Sequence, residues 1–118
     1  MHKLSNPTQS PQKLTQSVLQ MTEYFEMYQA ELARILQLQC SDIGALASRE
    51  RYLMQDTPSW KLAVLFVRLY DMLYEKFNGN EAAICHWLRA DNKDLKSVPL
   101  YLMVDHGQLE TVIEHVMQ

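Results

Sequence analysis

The run "QDTPSWKLAVLFVRLYDMLYEKFNGNE", Gln55 to Glu81, limits what this chain can fold into more than any other stretch. It reads as one long helix. Asp56 or Thr57 can cap it, Pro58 suits its first turn, and "NGN" closes it. Leu62, Leu65, Phe66, Leu69, Leu73 and Phe77 form one apolar stripe, while Trp60, Val64, Val67 and Tyr74 lie on a second face. A helix apolar nearly all round has to be covered on more than one side. The expectation is a central shaft within the monomer, part of which also meets a second copy of the chain.

The remaining sequence supplies helices to wrap it. With three glycines, four prolines and no alternating Val/Ile/Thr-rich run, the chain is expected to be all-α. At 118 residues, 47% of them hydrophobic, it is one compact unit or two small subdomains sharing a core. The division expected is residues 1–57 and 58–118. Met1 to Ser10 reads as a loose polar arm. "SPQKLTQSVLQMTEYFEMY", to Tyr28, reads as a helix capped by Ser10 and opened by Pro11, with Leu14, Val18, Met21 and Phe25 at helical spacing. After the shaft comes "NEAAICHWLRA", capped by Asn80, with Ile84, Trp87 and Leu88 facing inward. Trp87 is a large anchor able to lock the C-terminal helices onto the shaft. A polar link, "DNKDLKSV", follows, in which Asn92 suits a capping or turn bond. Pro99 opens a short helix, and Gly107 precedes a last one carrying Leu109, Val112, Ile113 and Val116.

No segment approaches the roughly 18–20 apolar residues of a membrane span. "MHKLSNPTQSPQ" lacks the apolar centre of a signal peptide, so a cytoplasmic location is expected. Cys40 and Cys85 are read as buried or half-buried thiols, with no disulfide between them. Cys85 and His86, with His106 and His115, show no i, i+4 pair of ligands, so no metal is expected. No Ser/His/Asp or Cys/His arrangement, phosphate-cradling glycine loop or paired-carboxylate pocket is visible. The expectation is a protein that is not an enzyme and carries no cofactor.

"QAELARILQLQCSDIGAL", Gln29 to Leu46, has the pattern of two short helices crossing at a tight turn. Ala33 sits where the helices approach most closely, and Leu32, Leu36, Leu38, Ile43 and Leu46 point inward. Gln29 can bond toward a phosphate while buttressing the second helix. The pattern resembles the helix-turn-helix of the Xre (phage-repressor-like) family, with Gln37 in place of the family's left-handed glycine at a cost of roughly 1–2 kcal/mol. That resemblance implies a recognition helix starting near Cys40 and entering the major groove, with Gln39, Ser41, Asp42, Gly44 and Ala45 outward. Gln39 could read adenine, Asp42 would favour a cytosine amine or repel phosphate, and Arg49 and Arg51 suit phosphate contact. The net charge of −3 is spread unevenly: the hairpin balances to zero and the acidity lies beyond Glu81. Binding would therefore rest on a few placed contacts in paired copies.

The second half, "LFVRLYDMLYEKFNGNEAAICHWLRADNKDLKSVPLYLMVDHGQLETVIEHV", resembles the toxin-binding domain of Xre/MbcA/ParS-type antitoxins. The elements that carry the likeness are Phe77, Trp87-Leu88, Asn92 with Leu95, Pro99 with Leu102-Met103, and Gly107, in that order and spacing. The resemblance implies an antitoxin that binds operator DNA as a homodimer. It also implies docking of a RES-domain toxin, of an NAD-consuming enzyme family; on the residues themselves, the acidic outer face of the last helices, with Asp105, Glu110 and Glu114, could meet a basic partner. Family members commonly carry a further glycine-containing tail that approaches the toxin's site, whereas this sequence ends at "EHVMQ". A stand-alone Xre-type regulator is therefore an alternative expectation, and a protein-interaction module with a purely structural hairpin is another.

Overall fold

The computed structural model describes residues 10–118; the expected N-terminal arm, before Ser10, lies outside them. Among the described residues the chain forms helices and no strand, with one isolated bridge between Asn92 and Ser97: α1 (Pro11–Tyr24), α2 (Gln29–Leu36), α3 (Cys40–Ala47), α4 (Pro58–Lys76), α5 (Glu81–Arg89), α6 (Pro99–Val104) and α7 (Leu109–Met117). No helix among them is long and apolar enough to cross a membrane.

The starts of these helices follow local chemistry. Ser10 Oγ accepts from the Lys13 amide, Thr57 Oγ1 from Trp60 and Asn80 Oδ1 from Ala83. Each satisfies an amide that the first helical turn leaves without a partner. Pro11, Pro58 and Pro99 occupy first-turn positions, where a missing N–H costs nothing. Asn92 folds the link as expected, its Oδ1 accepting from Asp94 and Leu95.

Helix α4 is the shaft. It packs against α1 and α7, and against α2 and α5 at its flanks. A single apolar cluster runs from Leu14 to Val116, so both halves of the chain share one core. The buried face of α4 is rotated from the stripe that its leucines suggest. Ala63, Phe66, Val67, Leu69, Tyr70 and Leu73 are buried, while Leu62 and Leu65 are only half-covered. Tyr70 explains the rotation. Its ring stacks on Tyr24 at 5.6 Å and meets Phe25 edge-on at 5.5 Å, and its hydroxyl donates to Glu81 at 3.1 Å. A tyrosine can be buried this way because its polar end finds a partner. Trp87 is half-buried: it packs against the margin of the core and stacks on His115 of α7 at 6.2 Å, joining α5 to the last helix.

Helix α1 stops at Tyr24, a turn short of the expected end. Glu26 takes a left-handed conformation (φ 58°), and the Met27 amide reaches back to Thr22 O. Arg89 of α5 then donates to Phe25 O at 2.7 Å and Glu26 O at 2.8 Å. A guanidinium thus closes the carbonyl end of α1, where a positive charge also complements the helix dipole. The same left-handed ending recurs with Gln37, Arg49 and Asn78.

Two stability changes are expected. Arg89→Met, which keeps the stem and removes the donors, should lower stability by about 1–2 kcal/mol, a fall in Tm on the order of 5 °C. Gln37→Gly should raise stability by about 1 kcal/mol, because glycine adopts the left-handed turn without a Cβ clash. Thermal and urea denaturation followed by circular dichroism reads both; a neutral Arg89→Met would remove the capping role.

Candidate nucleic-acid interface

Helices α2 and α3 form the predicted hairpin around the turn 37–39. Ala33 is buried where the helices approach, and Leu32, Leu36, Ile43 and Leu46 enter the core. Leu38 is half-buried and lines a small apolar cleft beneath α3 with Leu46, Leu53 and Met54. Gln37 holds φ 60° and ψ 42°, the left-handed conformation expected of it. Two long-range bonds seat the hairpin. Ser59 Oγ donates to Leu36 O at 2.9 Å, closing α2 from the start of α4, and the Leu53 amide donates to Thr15 Oγ1 at 2.9 Å.

Helix α3 is held by few side chains. Ile43 and Leu46 are its buried residues. Ser41, Gly44 and Ser48 are exposed and Ala45 half-buried; their spacing of three and four residues places them on one outward face. That face is made of small side chains. Gln39 is exposed at the helix start, and Gln29 is exposed at the start of α2. Among the described residues Gln29 makes no side-chain hydrogen bond to α3.

The charges of the hairpin are engaged within the molecule to a degree that the sequence does not suggest. Asp42 Oδ2 accepts from the Gln39 amide at 3.0 Å, capping α3 with its own third residue, and Oδ1 pairs with Arg51. The Gln39 amide first, and then Arg51, hold the Asp42 carboxyl below its usual range. Arg51, expected on phosphate, therefore lies against a carboxylate at the start of α3. Asp42, expected to face a base or repel phosphate, is neutralised by it. Arg34 of α2 pairs with Asp105 at 3.2 Å, and Ser48 Oγ donates to Glu50. The Arg34 pair is solvent-exposed on both sides and holds its geometry weakly. Of the three arginines of the hairpin, Arg49 alone makes no ion pair among the described residues. It stands exposed in the left-handed turn that ends α3.

The three acids expected to meet a partner are all exposed, but they are not equivalent. Glu110 and Glu114 stand one turn apart on α7, sharing a face. Asp105, at the end of α6, pairs instead with Arg34 of α2. Sequence spacing carried no signal for that pairing, nor for the Asp42–Arg51 pair. Among the described residues no group of three or more His, Cys, Asp or Glu is arranged to hold a metal. The burial expected of both thiols holds only for Cys85: Cys40 is exposed, because it opens α3 away from that helix's buried residues Ile43 and Leu46, whereas Cys85 is half-buried with its Sγ 3.2 Å from Tyr24 O, and burial is the leading cause that pushes its thiol pKa up. No family model matches the chain, and no curated protein matches it.

The state of Asp42 is open to direct measurement. Because its folded pKa lies below the ordinary value of 3.8, its contribution to stability is complete above that value and is lost as pH falls through the lower folded midpoint. Carboxyl titration by NMR should place Asp42 below 3.8, with the Gln39 amide moving over the same pH range. A midpoint at or above 3.8 would dissolve the cap and the pair together.

Proposed function

We propose that this chain is an antitoxin-like transcriptional regulator that binds operator DNA as paired copies through α3 and docks a toxin on its C-terminal half. The observation that carries the DNA part is the stance of α3. It is anchored through Ile43 and Leu46, and the rest of the described chain leaves its opposite face uncovered. Small residues on that face let the helix backbone approach base edges closely. They offer contact to thymine methyls and few hydrogen bonds to guanine, leaving Gln39 as the side chain able to fork onto adenine. Arg49 supplies phosphate contact. The toxin part is supported by the order of Trp87-Leu88, Asn92, Pro99 and Gly107 in the antitoxin-like half, and by the exposed carboxylates Glu110 and Glu114. Those two can meet a basic surface such as a RES-domain toxin would need to present.

A specific observation favours a second reading, a protein-interaction module. With Arg51 held by Asp42 and Arg34 by Asp105, the hairpin presents little net positive charge to a phosphate backbone. The two readings separate on salt dependence. If α3 binds DNA, log affinity for the chain's own promoter falls with log salt at about −0.9 per phosphate neutralised. Arg49→Ala should flatten that slope by about one phosphate per copy for all sequences alike. Asp42→Asn should steepen it by a similar amount by releasing Arg51, and Gln39→Ala should relax sequence preference with little change in slope. Fluorescence anisotropy at four or five salt concentrations reads all three. Absence of binding at low salt would leave the interaction module.

A further inference from the structure

The cleft beneath α3 has a volume of about 180 Å³. Leu38 and Leu46 line it from the hairpin, and Tyr52, Leu53 and Met54 from the link that leads to α4. The two hydroxyls that reach it are already engaged. Thr57 Oγ1 donates to Met54 O and accepts from the Trp60 amide, and Ser59 Oγ donates to Leu36 O. An apolar space of about 150 Å³ holds a benzene ring and stays free of water. Met54 borders the cleft yet is 60% exposed, which leaves apolar surface for an occupant to cover.

One pair of charges stands at this cleft, Asp42 and Arg51, and the two are unequally spent. Asp42 uses both oxygens, Oδ2 on the Gln39 amide and Oδ1 on Arg51. Among the described residues Arg51 donates from Nη2 alone, and its side chain is 61% exposed against 30% for Asp42. A guanidinium offers five N–H donors in a fork that matches a carboxylate. The capacity left over at the cleft is therefore for an anion.

We infer that this cleft binds a small free carboxylic acid in its ionised form, carrying one apolar group of about benzene's size. The apolar group lies against Leu46 and Leu53, and the carboxylate takes the unused donors of Arg51. An amine in place of the carboxylate would find Asp42 held on both oxygens. The charge of Asp42 beside the bound acid keeps the affinity modest. Because α3 and the link both line the cleft, an occupant fastens the outward helix to the body of the protein and draws on Arg51. Binding is measured on the free chain, so this site and the operator reading stand or fall separately.

Titration of the full chain with phenylacetate, followed by amide NMR at constant pH and ionic strength, tests it. Circular dichroism verifies that each variant is folded. Shifts at Leu46, Leu53, Met54 and the Arg51 side chain should saturate with a Kd on the order of 1 mM, as suits a ligand of this size. Phenylacetamide, the same shape without the charge, should bind roughly fivefold more weakly, and Arg51→Gln should weaken phenylacetate by a similar factor. Acetate, which lacks the ring, should leave those amides unmoved. Leu38→Phe, which fills the cleft, should abolish the shifts; should that variant fail to fold, Arg51→Gln at an exposed position still decides the matter. Shifts that do not saturate, or that scatter over the surface, overturn the site. Equal binding of phenylacetamide, or tighter binding of phenethylamine, overturns the assignment of an acid.

Discussion

Everything in this molecule hangs on covering α4. Phe66, Leu69 and Leu73 are fully buried on it, and each such side chain contributes roughly 1.5–3 kcal/mol on leaving water. One neighbour cannot cover a helix whose apolar residues run so far round its circumference. α1 and α7 therefore come from opposite ends of the chain to meet it, and α2 closes one flank. The hairpin is consequently no free-standing module. Its first helix is part of the wall around the shaft, and α3 is the element of the pair left with a broad outer surface.

Holding that wall in place requires helices to end sharply, and the chain does so with little glycine. Glu26, Gln37, Arg49 and Asn78 all take left-handed conformations at helix ends, each at a cost of about 1 kcal/mol that packing offsets. At Glu26 the compensation is explicit, because Arg89 of α5 donates to two carbonyls there. The turn of the hairpin, at Gln37, is closed by the amides of 37 and 38 and by Ser59 Oγ on Leu36 O. The same economy that shapes the hairpin thus sets the direction in which α3 leaves it.

Electrostatics then decides what α3 has to offer. Its first turn is capped by its own Asp42, which in turn holds Arg51, so the charge nearest the helix start is spent internally. What remains outward is a strip of small residues flanked by Gln39 and Arg49. On the proposed DNA-binding reading, such a surface would draw affinity from close fit and from repetition in paired copies more than from a broad positive field.

The sequence by itself determined the helical class, the starts of α1, α4, α5 and α6, the inward residues of α2, α3 and α7, and the left-handed Gln37. Caps, prolines and apolar spacing act within a turn or two of the chain, so a linear reading can see them. Tertiary structure alone decided the end of α1 at Tyr24, the rotation of α4 toward Tyr70, the half-exposure of Trp87, and the pairings of Asp42 with Arg51 and Arg34 with Asp105. Those outcomes depend on groups far apart in sequence, such as Arg89 and Phe25, 64 residues apart. Periodicity reports which face a residue occupies and carries no record of the side chain that meets it across space.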